Sequence, residues 1–240
     1  MTIEEMKKAK ETLGYSYEKI ADLAQMTPEG VRRIFHGKVK KPRLSTMEAL
    51  EAVLRPYNVE AYWRFMAERY GEMLDGVWYD KFVPTTVHQM LVGEVYMQIR
   101  RRLEEESMEA VAFFSPISVS LHGDLYTMTE PDVVVLRDGA RLKDWGILGA
   151  PDFVFEVIAT AVQKKKAILK LEHYTRVGVK EYWEFDLPRK ELTVYYLEEN
   201  AAPVQCPLSG VLPLRIFGES VAVNLDTLAG ILTRFESPKS

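Results

Sequence analysis

Between residues 152 and 159 the chain reads Asp-Phe-Val-Phe-Glu-Val-Ile-Ala, an apolar, β-rich run broken once, by Glu156. A run that is apolar at both parities suits a strand covered on both faces. Four further stretches carry strand patterning, near 110–121, 131–136, 180–186 and 191–197, and the turn Asp186-Leu-Pro-Arg-Lys190 joins the last two as a hairpin. Residues 87–103 and 163–174 have helical periodicity, the second being rich in lysine. The order of helix, strands, helix and strands predicts an α/β sheet with helical cover.

The first 55 residues pattern differently, as short helices only. Residues 1–13 are amphipathic; Ser16 caps a helix running to about Ala24; Thr27-Pro28 sets an N-cap and a proline at the first helical position, for a helix ending near Gly37; Ser45-Thr46-Met47-Glu48 is a capping box. Residues 56–74, with an aromatic-rich helix from about 57, read as a helical linker, and Asp75-Gly76 as a turn opening the main domain, residues 75–240.

A single cysteine, Cys206, rules out an internal disulfide and a multi-cysteine zinc site. With four scattered histidines, an oxygen-ligated Mg²⁺ or Mn²⁺ is the metal chemistry left open. No apolar stretch approaches a membrane span and no signal-peptide core precedes the first helix, so a cytoplasmic protein without membrane attachment is expected. The net charge of −4 hides an asymmetry: residues 1–44 hold ten Lys/Arg against six Asp/Glu. That end is therefore a candidate anion-binding module.

A lone buried carboxylate costs several kcal/mol unless it is paired, protonated or metal-bound. Glu156 has two candidate neighbours. Asp132 opens the run Pro131-Asp-Val-Val-Val-Leu136, and Lys166, Lys170 and Tyr174 share one face of the lysine-rich helix. Two acids on adjacent strands with a lysine fit a site that holds a divalent cation and cuts a phosphodiester. A structural Glu156–Lys170 ion pair without metal is the plainer alternative, and Lys164-Lys165-Lys166 read alone is a solvated helix face. Asp152 shares a strand with Glu156 at roughly 13 Å, too far to share one ion, and reads as a strand-start residue.

Two resemblances follow. Ala21 as the small mid-helix residue, with Ile20, Ala24, Met26, Val31 and Ile34 at apolar offsets and Gln25 where glycine is preferred, makes residues 1–55 resemble a Cro/phage-repressor-like (XRE-type) helix-turn-helix. That resemblance implies that Thr27, Glu29, Arg32, Arg33 and His36 face the major groove of duplex DNA and that Lys38, Lys40, Lys41 and Arg43 contact phosphates. A basic helical bundle for dimerisation or docking is the other reading.

Asp75-Gly76, His88, Pro131-Asp132, Gly149-Ala-Pro-Asp-Phe-Val-Phe-Glu-Val-Ile158, Lys170, Tyr174, Gly178-Val179, Glu181-Tyr-Trp183 and Asp186 occur in order. They make the rest of the chain resemble the Uma-two family of restriction-type endonucleases, within the PD-(D/E)XK superfamily. The resemblance implies a PD-(D/E)XK core, a mixed sheet flanked by helices, behind a small all-α domain. It implies Mg²⁺ or Mn²⁺ held by Asp132, Glu156 and the Val157 carbonyl, Lys170 assisting the attacking water, and a homodimer acting on DNA. The chain departs from the family at Val77 (usually Glu), Ala159-Thr160 (usually Ser-Pro) and Lys166 (usually Asp). Glu94 is a candidate substitute for the missing acid. The departures keep a second reading open, a catalytically inactive nuclease-fold regulator that binds DNA.

Overall fold

The computed structural model describes residues 1–13, 15–54, 71–81, 83–123, 126–199 and 201–235. The chain divides into two units, one of Met1–Tyr70 with Asp75–Val77, the other of Gly71–Leu74 with Trp78–Ser240.

In the first unit four helices, α1 (Ile3–Leu13), α2 (Tyr17–Leu23), α3 (Pro28–Phe35) and α4 (Leu44–Leu54), enclose Met6, Ile20, Ala21, Val31, Ile34, Phe35, Leu50, Val53 and Leu54. Ser16 and Thr27 cap α2 and α3 by accepting from the Lys19 and Gly30 amides, as their positions predict. Gln25 lies in the left-handed region at φ +52°, which is why that turn favours glycine. His36 caps α3 and Gly37 follows it at φ +70°, the C′ position expected of it, whereas α4 begins at Leu44, so Ser45 lies inside the helix rather than opening a capping box.

Strands β1 (Gly71–Leu74) and β2 (Val77–Asp80) are joined at Asp75-Gly76, where both residues have positive φ (+50° and +78°). The segment 71–74 is therefore strand, not helical linker; residues 56–70 of that reading lie outside the described residues. The remaining elements are α5 (Thr86–Glu105), β3 (Val111–Phe114), β4 (Val119–Ser120), β5 (Met128–Thr129), β6 (Val133–Leu136), β7 (Leu142–Lys143), β8 (Gly146–Leu148), β9 (Phe153–Ile158), α6 (Ala161–Val177), β10 (Glu181–Asp186), β11 (Glu191–Tyr196), β12 (Val204–Cys206), β13 (Val211–Pro213), β14 (Ala222–Asn224) and α7 (Leu225–Arg234). The expected strand near 110–121 is two strands, β3 and β4, separated by the cis Ser115–Pro116 bond and placed in different sheets.

The main sheet runs β12-β11-β10-β9-β6-β3 and a second sheet runs β2-β1-β5-β4-β8-β7. Only β9 and β10 are parallel in the main sheet, and α6 is their crossover; the other pairs are antiparallel. Alternation along β9 sorts its two faces. Phe153, Phe155 and Val157 join α5 and α7 in one core, while Val154 packs with Tyr174 of α6 and with Val119 and Ile147 of the second sheet. Glu156 has the parity of Val154, so it faces α6. Among the described residues no helix is long and apolar enough to cross a membrane.

Candidate active site

The two acids come together through the backbone. Asp132 immediately precedes β6, and its Oδ2 accepts the Val157 N–H at 2.8 Å, one residue beyond Glu156. A strand residue's N–H and C=O point toward the same neighbouring strand, so the Val157 carbonyl lies on the Asp132 side as well. His88 of α5 places Nε2 3.3 Å from the same Oδ2. Burial raises the Asp132 carboxyl, but His88, Lys81 and the Val157 amide outweigh it and hold the group below the ordinary carboxylate range.

Glu156 is held by α6. Its Oε1 accepts from Tyr174 Oη at 2.7 Å and lies 2.5 Å from Lys170 Nζ. Burial raises its carboxyl, with Glu72 and Asp132 adding repulsion, and Lys170 only partly offsets this. The expected face Lys166, Lys170 and Tyr174 is real: all three side chains reach into the acid network. The solvated-face reading holds for Lys165 alone, since Lys164 pairs with Glu184 and Asp186 and Lys166 pairs with Glu72.

Sequence patterning missed Glu72. It sits on β1, buried, with Oε1 2.7 Å from Lys170 Nζ and Oε2 paired with Lys166, and it accepts the Glu130 N–H at 2.8 Å. Burial pushes its carboxyl up, yet Lys170, Lys166 and Lys81 drive it well below the usual range. Burial likewise works against the Lys170 charge, but Glu156 and Glu72 more than compensate and keep the ammonium protonated well past its ordinary range. Lys81 adds a third cation, donating to the Glu130 carbonyl at 2.7 Å and to Ser115 Oγ at 3.1 Å. The available signal for the strand that carries Glu72 was the Asp75-Gly76 turn that follows it. Glu94, the candidate substitute acid, accepts from Gln98 within α5 at 2.8 Å. Asp152 takes the structural role expected of it, accepting the Arg137 N–H at 2.9 Å and pairing with Lys180 at 3.1 Å.

Among the described residues no three Asp, Glu, His or Cys side chains form a ready metal cage. The fit is of another kind. Nothing among them bonds Asp132 Oδ1 or Glu156 Oε2, so each acid keeps one open oxygen while its other is fixed. Mg²⁺ binds through one or two carboxylates and retains waters, and two open carboxylate oxygens beside a main-chain carbonyl suit that habit.

In the first unit Thr27, Glu29, Arg32, Arg33, His36, Lys38, Lys40 and Lys41 are all exposed. Arg32 pairs with Glu18, and His36 Nδ1 lies 2.8 Å from the Arg32 carbonyl oxygen.

A mixed α/β fold with a buried acid–lysine cluster at its crossover helix is the architecture of a restriction-endonuclease-like protein. The family profile described as "Putative restriction endonuclease" (Uma2) matches residues 62–225, and the chain belongs to this family. Its fold is similar to the crystal structure of a "putative nuclease belonging to DUF820" from Anabaena variabilis, at TM-score 0.57 and 20% identity, covering 74% of this chain and 99% of that one. No curated protein matches the sequence.

Proposed function

We propose that this chain is a metal-dependent endonuclease that hydrolyses DNA phosphodiesters and is targeted to duplex DNA by its N-terminal helices. The observation that carries the reading is the pair of open oxygens, Asp132 Oδ1 and Glu156 Oε2, beside a lysine that is already charged and anchored. Bound Mg²⁺ or Mn²⁺ would neutralise the scissile phosphate and polarise water. Asp132, Glu156 and the Val157 carbonyl would hold the ion. Of the three ammonium donors of Lys170, Glu72 and Glu156 take two, leaving one for the attacking water or a phosphate oxygen. In the first unit Thr27, Glu29, Arg32, Arg33 and His36 would meet base edges while Lys38, Lys40 and Lys41 meet phosphates.

The test is incubation of supercoiled and linear DNA with the protein in Mg²⁺, Mn²⁺ or EDTA, beside Asp132→Ala. Metal-dependent cutting that disappears in the variant supports the reading; a parent protein that binds duplex and never cuts overturns it. That second outcome describes the alternative, a silent nuclease fold serving as a DNA-binding regulator. Lys166, a cation where the family carries an aspartate, is the observation in its favour.

A further inference from the structure

We propose that Lys166 is a second phosphate-binding residue, gripping the nucleic-acid backbone beside Lys170; this rests on the nuclease reading above. Lys166 lies one turn before Lys170 on α6, on the face turned to the acids. Its side chain is 11% exposed where that of Lys170 is 2% exposed, so Lys166 stands at the rim and Lys170 beneath it. Glu72 Oε2 is the one protein partner of the Lys166 ammonium among the described residues, leaving two of its three donors uncommitted.

Charge balance says what those donors take. Lys166 and Lys170 share Glu72, and Lys170 is also balanced by Glu156. Lys81 is matched separately by Glu130, 3.5 Å away. Once Glu156 and Asp132 serve a divalent cation, two ammonium groups are left with the single charge of Glu72. An oxyanion at the rim restores neutrality, and a phosphodiester carries one negative charge. The inference therefore ties anion capture to metal loading: without the ion, Glu72, Glu156 and Asp132 outnumber the two ammonium groups by one charge, and the cluster repels an anion.

The test compares the parent, Lys166→Gln and Lys166→Arg in the full chain. Affinity for a fluorescent duplex oligonucleotide is measured by anisotropy across a salt series, with Ca²⁺ or with EDTA, and a gel confirms that the duplex stays intact. Calorimetric titration of Mg²⁺ into each protein accompanies it. With Ca²⁺, Lys166→Gln is expected to bind roughly tenfold more weakly at low salt, with the salt slope reduced by about one, and Lys166→Arg to retain the parent slope. A residue that only neutralises Glu72 would leave the slope untouched. If Lys166→Gln does not fold, the double variant Glu72→Gln/Lys166→Met, which removes both partners, is expected to show the same slope loss. Mg²⁺ heat in the parent with an unchanged slope overturns this inference alone; absence of Mg²⁺ heat overturns the nuclease reading and this inference with it.

Discussion

Glu72 and Lys170 stand 98 residues apart in the chain, yet their charged atoms lie 2.7 Å apart in the interior. The contact clasps the two sheets together, because Glu72 rides on β1 of one, whereas Lys170 serves Glu156 on β9 of the other. Removing one partner of such a buried pair strands the charges left behind. Lys170→Met is expected to cost about 3–5 kcal/mol in urea unfolding. Glu72→Gln/Lys170→Met should recover part of that loss. A double variant as unstable as the sum of the two singles would deny the coupling.

Because Lys170 already neutralises the acids, metal removal should not unfold the protein. EDTA is expected to shift Tm by no more than about 2 °C, unlike a structural zinc domain, in which the metal supplies the folding energy. A scanning-calorimetry shift of ten degrees on chelation would show that the ion is a structural element.

Tyr174 fixes which Glu156 oxygen faces the lysine. Tyr174→Phe removes a buried hydrogen bond to a carboxylate and should destabilise by about 1.5–3 kcal/mol. Freed from the phenol, Glu156 is also expected to bind Mg²⁺ more weakly. Parent-like calorimetry for the variant would assign Tyr174 to packing alone.

Glu181, outside the acid–lysine cluster, predicts a pH dependence of its own. It is buried at the start of β10, accepting from Trp183 Nε1 at 2.7 Å and from the Ile216 N–H at 3.3 Å, and burial pushes its carboxyl up to about 7. The folded value lies above the ordinary 4.5, so the folded state binds the proton more tightly than the unfolded chain. Stability from this group is then fully present below about pH 4.5 and lost as pH rises through about 7, by up to about 3 kcal/mol. Glu181→Gln should flatten that part of the stability–pH curve; an unchanged curve would place the titration elsewhere.

Gly71 is sterically required. A Cβ there would lie 2.4 Å from the Trp78 ring and 2.5 Å from the Tyr79 carbonyl oxygen. Gly71→Ala is expected to push β2 away from β1, moving Glu72, and to lower both Tm and the coupling measured for Glu72 with Lys170.

The strand carrying Glu156 was legible because one acid interrupts an otherwise apolar run, and Lys170 with Tyr174 was legible because spacings of four fix a helical face. Asp132 followed from its place at a strand opening. Glu72 was hidden for a physical reason. A four-residue strand has too few positions to display a period, and the segment before it is aromatic and helical in pattern, so 71–74 read as the end of a helix. Its meaning depends on partners almost a hundred residues away, which no local pattern encodes. The split of 110–121 into β3 and β4 was concealed in the same way, since each piece is too short to show a period of its own.

The clasp also sets an order of events. Lys170 sits in the crossover between β9 and β10, so a growing chain acquires its charged helix long after β1 has been made, and Glu72 must wait for it. A chain that ends before Lys170 would hold the acids without the cation that pairs with them. For a protein proposed to cut DNA, such a chain would lack the lysine of the proposed site.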